Sequence, residues 1–290
     1  MSPAQSAGLF AGNVAFYERY RLPYPHRLLK RVTALAGMAP GDPVLDLGTG
    51  TGMLAIPLAR MGFQVTALDP EPAMLAAARA ASAAAGVAVD FREAASHDLT
   101  PDMGPYRLAV MGRSFHWMDR AATLGVLDRI VTPGGGVALF HDAHPPVEEN
   151  NWFKVLYDVA RKFGRDENEH GKERNGGHRR YEPFLFASAF TELDWLSVTI
   201  RQPISEDEIV GRAFSMSTCS PEKLGARMPQ FESGLRAALR ALQPDGKFIE
   251  VAELVALLAR RSIGQEKCEG PEARSGFPSG RATNKEEKDT

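Results

Sequence analysis

Residues 44–52 read Val44-Leu45-Asp46-Leu47-Gly48-Thr49-Gly50-Thr51-Gly52, and this stretch decides the fold. A short apolar strand runs straight into three glycines at alternate positions. Glycine carries no Cβ, so such a loop can turn tightly and bring its backbone close to a ligand. The helical pattern that follows would aim its N-terminal N–H groups at the same point. In an open parallel sheet the first strand-to-helix turn lies at the topological switch point, where ligands bind. Two phosphate-binding patterns fail on the letters. A G-x-G-x-x-G fingerprint starting at Gly48 would need a glycine where Met53 stands, and a phosphate loop would need G-K-[ST] where Met53 and Leu54 follow Gly52.

The second signal lies on the next strand. Val65-Thr66-Ala67-Leu68 ends in Asp69, roughly 20 residues beyond the glycine loop, where a carboxylate can accept hydrogen bonds from both hydroxyls of a ribose. Pro70 follows, and Met74 stands one helical turn on, able to pack against an adenine face.

Outward from these motifs, strand-like runs fall at Val44–Leu47, Gln64–Leu68, Ala88–Arg92, Leu108–Met111 and Gly136–Phe140. Helical stretches fall at about Gly52–Met61, Pro72–Ala84 and Arg120–Val131. Such alternation predicts βαβ units and a parallel sheet. Upstream, an apolar stripe from Asn13 to about Gly37 is interrupted by Pro23 and Pro25, which predicts two short helices with a turn at Arg21–Tyr24. Downstream, Trp152–Phe163 is amphipathic, and Arg165–Gly177 reads as a solvated loop. Phe190–Ile200 is strand-like. Ser205 and Glu208 form a capping box. Ser220-Pro221 opens a further helix to about Leu242, and Lys247–Arg260 is expected to be a final strand pairing with Phe190–Ile200.

Bulk properties narrow the function classes. The 290 residues suit one large α/β domain, and two cysteines without a CxxC pair give neither a disulfide scaffold nor a zinc site. A net charge of −2 argues against a nucleic-acid binder. Met1–Gly12 lacks a signal-peptide pattern, and no apolar run approaches the roughly 20 residues needed to cross a bilayer. A cytoplasmic protein without a membrane partner is expected.

Taken in order, VLDLGTGTG, VTALDPEPAML, FREAASHDL, YRLAVMGRSFHWMDR and VTPGGGVALF resemble the successive motifs of the class I S-adenosylmethionine (SAM)-dependent methyltransferases. The similarity runs from about Phe16 to Arg260. It implies a Rossmann-like, doubly wound, seven-stranded sheet in the order 3-2-1-4-5-7-6, the last strand antiparallel, with a helical cap. By position, it implies that Gly48, Thr49 and Gly50 lie along the methionine and ribose of SAM, that Asp69 binds the ribose, and that Pro70 and Met74 border the adenine. Ala95 and Ser96 stand where such enzymes recognise the adenine amino group, with Asp98 close by. Arg113 falls beside the methionine end. FYERYRLPYP resembles a segment that folds over the cofactor, with Tyr17 and Arg21 as its candidate contacts.

The resemblance predicts methyl transfer to an O or N nucleophile of a small molecule, with secondary-metabolite modification as the leading role by analogy. His116, just past the fourth strand, is the candidate general base, with a pocket wall as its alternative role. His141 and His144 lack the further ligand spacing a metal would need, so no metal is expected. Phe153, Tyr157, Phe214 and Met216 are either acceptor pocket or core, and helical spacing favours core. Partner expectations are a small-molecule acceptor, no nucleic acid, and a homodimer as the oligomer to test. Competing functions are protein or RNA methylation, weakened by GRSFHW standing in place of an N-P-P-[YF]-like loop, and SAM binding without catalysis. The domain reading is a disordered 1–12, one domain over 13–261 with cap segments at about 141–189 and 203–243, and a disordered 262–290.

Overall fold

Alternating apolar strands and amphipathic helices must cover both faces of a sheet to bury their side chains. The computed structural model describes residues 12, 14–164 and 181–262. Helices α1 (Val14–Tyr20) and α2 (His26–Leu35) precede β1 (Pro43–Leu47), α3 (Ala55–Arg60), β2 (Gln64–Asp69), α4 (Pro72–Ala85) and β3 (Asp90–Glu93). Then come β4 (Tyr106–Gly112), α5 (Arg120–Ile130), β5 (Val131–Ala143), α6 (Asn151–Gly164), α7 (Glu182–Phe186) and β6 (Glu192–Ser205). The chain continues through α8 (Glu206–Phe214), α9 (Pro221–Leu224), α10 (Met228–Leu242) and β7 (Lys247–Arg260).

The strands form one sheet in the order β3-β2-β1-β4-β5-β7-β6. The pairs among β1 to β5 are parallel, and β7 runs antiparallel to both neighbours. The expected topology and the expected pairing of the last strand both hold. One face is covered by α2, α3 and α4 through Leu28, Leu29, Val32, Leu58 and Leu75. The other is covered by α5 and α7 through Leu124, Leu127, Ile130 and Leu185.

The hairpin of β6 and β7 outgrows the sheet. All 14 residues of β7 pair with β6, but β5 reaches only to Glu253, so residues 247–252 project past the C-terminal ends of the parallel strands. On this arm sits a third core, built from Trp152 and Leu156 of α6, Ile209 and Phe214 of α8, Phe231 and Leu235 of α10, and Phe248 of β7. The expected capping box is present, with Ser205 Oγ accepting the Glu208 N–H and Glu208 accepting the Ser205 N–H. The cap is therefore a helical layer carried on this arm and packed against α1 through Phe16 and Phe214.

Four sequence expectations are corrected. The helix expected from Gly52 begins at Ala55, because Gly52 holds φ 83°, outside the right-handed region. The helix expected from Ser220 to Leu242 is broken at Gly225, with φ 51° and ψ −129°, into α9, a short 3-10 turn and α10. The fifth strand extends to Val131–Ala143 rather than Gly136–Phe140. Residues 182–186, within the segment assigned to the cap, form helix α7, which packs on the sheet face beside α5 through Leu185 and the ring of Phe184 under Arg120. The expected loop at Arg165–Gly177 and the expected disordered ends lie outside the described residues, apart from Gly12 and Ser262.

The outer edge of β6 is also guarded. Arg27 and Arg31, one turn apart on α2, donate to the carbonyls of Thr199 (3.3 Å) and Ser197 (3.2 Å). Positive side chains on an open strand edge discourage pairing with a second chain.

Phe231 is fully buried and meets the rings of Phe163 and Phe214. Phe231→Ala is expected to cost about 3–5 kcal/mol in urea unfolding, as cavity-forming aromatic truncations do. An unchanged midpoint would contradict the cap core described here.

Candidate active site

The glycine loop is held from two sides. Gly48 and Thr49 donate their N–H groups to the carbonyl of Leu68 (2.8 and 2.9 Å), tying the loop to the end of β2. Asp69 then accepts the Gly50 N–H on Oδ2 (2.8 Å) and the Glu71 N–H on Oδ1 (2.9 Å). Burial raises the Asp69 carboxyl above the ordinary range, and those two amides pull it part of the way back. The position expected to hold a ribose is thus also the brace of the loop.

The glycines are required for different reasons. Gly48 has φ 73°, and a Cβ there would lie 2.5 Å from the Ser114 Cβ, while Ser114 is fixed by donating to the Leu47 carbonyl (2.7 Å). Gly50 has φ 55° with open space around the same position. Gly48→Ala is therefore expected to destabilise the chain by more than 2 kcal/mol, by clash and backbone strain together, and Gly50→Ala by about 1 kcal/mol from strain alone. Equal thermal shifts for the two variants would contradict this.

Beside the loop opens a small cleft lined by Tyr17, Tyr24, Asp46, Gly48, Thr49, Gly50, Met53, Leu54, Gly112 and Arg113. Five residues expected to bind the cofactor, Tyr17, Gly48, Thr49, Gly50 and Arg113, are brought together here. Asp46 and Tyr24 are additions. Asp46 is 1% exposed; its Oδ2 accepts from Thr49 Oγ1 (2.7 Å) and the Ala55 N–H (3.1 Å), while Oδ1 has no partner among the described residues. Burial pushes its carboxyl up to about 7 against those two hydrogen bonds, with the neighbouring Asp69 charge acting in the same direction as burial. The buried Tyr24 hydroxyl is also unpartnered among the described residues, and burial raises it above the ordinary phenol range. A Cβ on Gly112 would come within 3.3 Å of that hydroxyl. Two orphaned buried polar atoms beside a bare glycine wall form a cradle for a polar ligand.

Arg113 shapes this cleft rather than offering it a free charge. It is the non-glycine residue with positive φ (57°) among the described residues. Its Nε donates to Asp142 at the end of β5, its Nη2 to the Leu22 carbonyl (2.9 Å), and its guanidinium lies over the Tyr24 ring at 4.7 Å. Burial alone would lower the Arg113 pKa and raise that of Asp142. Their mutual attraction outweighs it, holding the guanidinium above and the carboxyl well below their ordinary ranges. This tie closes the segment after α1 over the cleft.

The other predicted residues lie around it. Arg21 stacks on Tyr17 and donates to the Ser215 carbonyl (3.1 Å), so its guanidinium reaches the cap. Pro70 is exposed beyond Asp69, and Met74 is buried in α4. Ala95 and Ser96 open a 3-10 turn in which Asp98 accepts the Ala95 N–H (2.8 Å). His116 lies in the 3-10 turn Phe115–Trp117 just past β4, its ring 4.8 Å from that of Trp117. Phe153, Tyr157 and Met216 pack against the cap core, to which Phe214 belongs. Asp142 and Tyr24 were missed by sequence reasoning: one lies 29 residues from its arginine, the other inside a quoted motif whose interior gave no rank order.

His144 is engaged in a buried polar cluster. Its Nε2 lies 2.7 Å from Glu250 Oε1, and Glu250 also accepts from Arg212 and from Gln202 (3.0 Å). Burial depresses the His144 pKa to about 4, with Arg212, Arg113 and Arg21 adding to the effect and Asp142 opposing it. His141 instead meets the Trp195 ring edge-on. A histidine with a depressed folded pKa contributes stability above its unfolded value of about 6.5, and that contribution is lost as pH falls toward 4. The melting temperature should therefore drop between pH 6.5 and 4, and less steeply in His144→Gln. Parallel curves for the two proteins would exclude His144 as the cause.

A sheet in this order with its one reversed strand, a glycine loop closing β1 and an acid closing β2, is the Rossmann-like arrangement seen in methyltransferases. Residues 44–135 match the family model described as methyltransferase domain. An uncharacterized methyltransferase of Mycobacterium tuberculosis is 30% identical over 157 residues, covering 54% of this chain and 59% of the relative. A ubiquinone biosynthesis O-methyltransferase of Pseudomonas aeruginosa is 37% identical over 106 residues, covering 36% of this chain and 45% of the relative. The chain thus spans about half the length of these curated relatives. Among solved structures, a protein of Anaeromyxobacter dehalogenans provisionally assigned as a type II methyltransferase superposes with TM-score 0.59 at 22% identity, over 83% of this chain and 98% of the other, a likeness of fold.

Proposed function

We propose that the protein transfers a methyl group from SAM to an O or N nucleophile of a small molecule. The observation that carries this reading is the row of groups along the strand ends. Sheet order sets Ala95–Ser96 beyond β3, Asp69 on β2, Asp46 and the glycine loop on β1, and Arg113 just past β4. An extended nucleoside with an amino-acid tail would lie along that row, with adenine near Ala95, Ser96, Pro70 and Met74, ribose on Asp69, and the tail in the cleft lined by Tyr17 and Asp46. SAM supplies an electrophilic methyl carbon on a sulfonium. The chain's task is then to align a nucleophile with that carbon, exclude water and take up a proton.

His116 stands at the β4 end of the row and is assigned the proton. A neutral imidazole at pH 7 can accept it from a hydroxyl or amine. We take the helical layer with its own core as a roof for the strand ends, an arrangement that favours a small acceptor over a polymer. Likeness to an O-methyltransferase of ubiquinone biosynthesis points the same way. We place the protein in the cytoplasm as one domain over 13–261, acting without nucleic acid, with a homodimer as its oligomer; no described helix is long and apolar enough to cross a membrane.

Calorimetry with S-adenosylhomocysteine tests the cofactor half. Wild type should bind it, and Asp69→Ala should weaken binding at least tenfold; no heat with wild-type protein would overturn the reading. For the acceptor half, wild type should methylate members of a panel of phenols, catechols and amines. His116→Ala should lower kcat about 100-fold or more, the usual contribution of a general base. An unchanged kcat makes His116 a wall of the pocket.

A further inference from the structure

We propose that Arg21 receives a carboxylate of the methyl acceptor, which places the substrate among small anionic molecules that carry a carboxylate besides their nucleophile. The inference rests on the methyl-transfer reading above and names the substrate class of that site.

A junction of charges lies between the cleft and the cap. Asp142 on β5 stands opposite Leu254 of β7, and Glu250 lies on the same side of β7 as Leu254, so both carboxylates share one sheet face. Three guanidinium groups meet them: Arg113 past β4, Arg212 of α8, and Arg21 from the segment after α1. Arg113 pairs with Asp142. Arg212 pairs with Glu250, which also accepts from Gln202 and lies 2.7 Å from His144 Nε2. Both acids are thereby engaged. The charge of Arg21 bears on Asp142, His144 and Arg212, which places it within this group. Yet its guanidinium makes one hydrogen bond among the described residues, to the Ser215 carbonyl, and lies over the Tyr17 ring at 5.2 Å. Its buried Nε has no partner there, and no described carboxylate lies within ion-pair distance of it. Three cations face two anions, and the one left over is Arg21.

A partly buried charge without a counter-ion is costly, and an anionic ligand removes that cost. A guanidinium with donors to spare suits a planar carboxylate, which takes two parallel N–H bonds. A phosphate would bring a second negative charge beside Asp142 and Glu250. The other two arginines are spent: Arg212 also donates to the Tyr20 carbonyl, and Arg113 to the Leu22 carbonyl. Position favours the acceptor as the source of the carboxylate. Arg21 reaches from Tyr17, which lines the cleft, to Ser215, which ends α8 in the cap. A ligand held there meets cleft and cap together, as the acceptor does under the proposed function. Paired with a guanidinium, the carboxylate is a handle, and the hydroxyl or amine elsewhere on the molecule is the nucleophile. The amino-acid tail of SAM also ends in a carboxylate, so the experiment must separate the two sources.

Calorimetry on the full chain saturated with S-adenosylhomocysteine, which fills the tail's own place, isolates the acceptor side. Protocatechuate, salicylate and succinate serve as carboxylate probes, each beside its neutral amide. At least one acid should bind about tenfold more tightly than its amide, the usual worth of a charge-assisted pair. That preference should shrink as salt is raised. Arg21→Gln should abolish it, and Arg21→Lys, which keeps the charge without the fork, should retain part of it. Equal binding of every acid and its amide by the wild type, including no binding of either, would overturn the proposal. So would a preference that survives in Arg21→Gln. Loss of S-adenosylhomocysteine affinity in Arg21→Gln, with methylthioadenosine (a nucleoside without the tail) bound as before, would give the guanidinium to the cofactor and overturn it too. A wild type that binds no S-adenosylhomocysteine removes the proposed function itself, a result read before any acceptor is added.

Discussion

The hydrogen bond from the Gly50 amide to Asp69 Oδ2 joins the two motifs on which the rest of the site depends. It spans 19 residues of sequence and crosses from the loop after β1 to the end of β2, so it can form only once those strands are paired in register. The Leu68 carbonyl, accepting from Gly48 and Thr49, reinforces the same junction. Three glycines at positive φ could adopt many loop shapes, and these bonds select one of them. The carboxylate that braces the loop keeps lone pairs to spare, since each oxygen accepts a single amide. The ribose role proposed for Asp69 would place structure and recognition on one side chain.

A second junction closes the site from above. Arg113 sits at a strained φ that a free chain would avoid, yet four contacts hold it there: Asp142, the Leu22 carbonyl, the Met53 sulfur and the Tyr24 ring. These connect β4, β5, the loop after β1 and the segment following α1. Neutralising that arginine within the protein leaves the cleft without a competing cation. Asp46 is the complementary case, a buried acid whose second oxygen has no partner among the described residues.

How much of this the sequence disclosed follows from the range of each interaction. Strand alternation, the glycine loop, Asp69 and the Ser205–Glu208 box are local patterns, and each appeared where read. The break at Gly225 was missed because helical spacing continued across it, and a single glycine does not say which φ it will take. Helix α7 went unread, and its segment was counted with the cap, because five residues, Glu182–Phe186, carry too little periodicity to mark a helix or choose its layer. The Arg113–Asp142 and His144–Glu250 contacts join residues 29 and 106 positions apart, and nothing in either neighbourhood marks its partner. Asp46 was visible as a letter of the loop, but its importance lies in an unpartnered oxygen, which only packing reveals.

The division between cap and sheet explains why similarity to other proteins concentrates where it does. The matched family segment ends at residue 135, before the elements that build the third core. That core is built largely from its own elements: α6, α8 and α10 bury their apolar faces against one another and against the projecting arm of β6 and β7, with Phe16 of α1 packed against them. It meets the rest of the chain through the rings of Phe16 and Tyr20, which lie against Phe214 and Gly211, and through Arg21 to the Ser215 carbonyl, Arg212 to the Tyr20 carbonyl and His144 to Glu250. A layer with its own core can exchange side chains without disturbing the glycine loop, since couplings fade between groups that share no partner. Under the proposed function, acceptor choice would be rebuilt in the cap while the strand ends keep one cofactor geometry. The contacts with α1 and His144 are where the two halves must still agree.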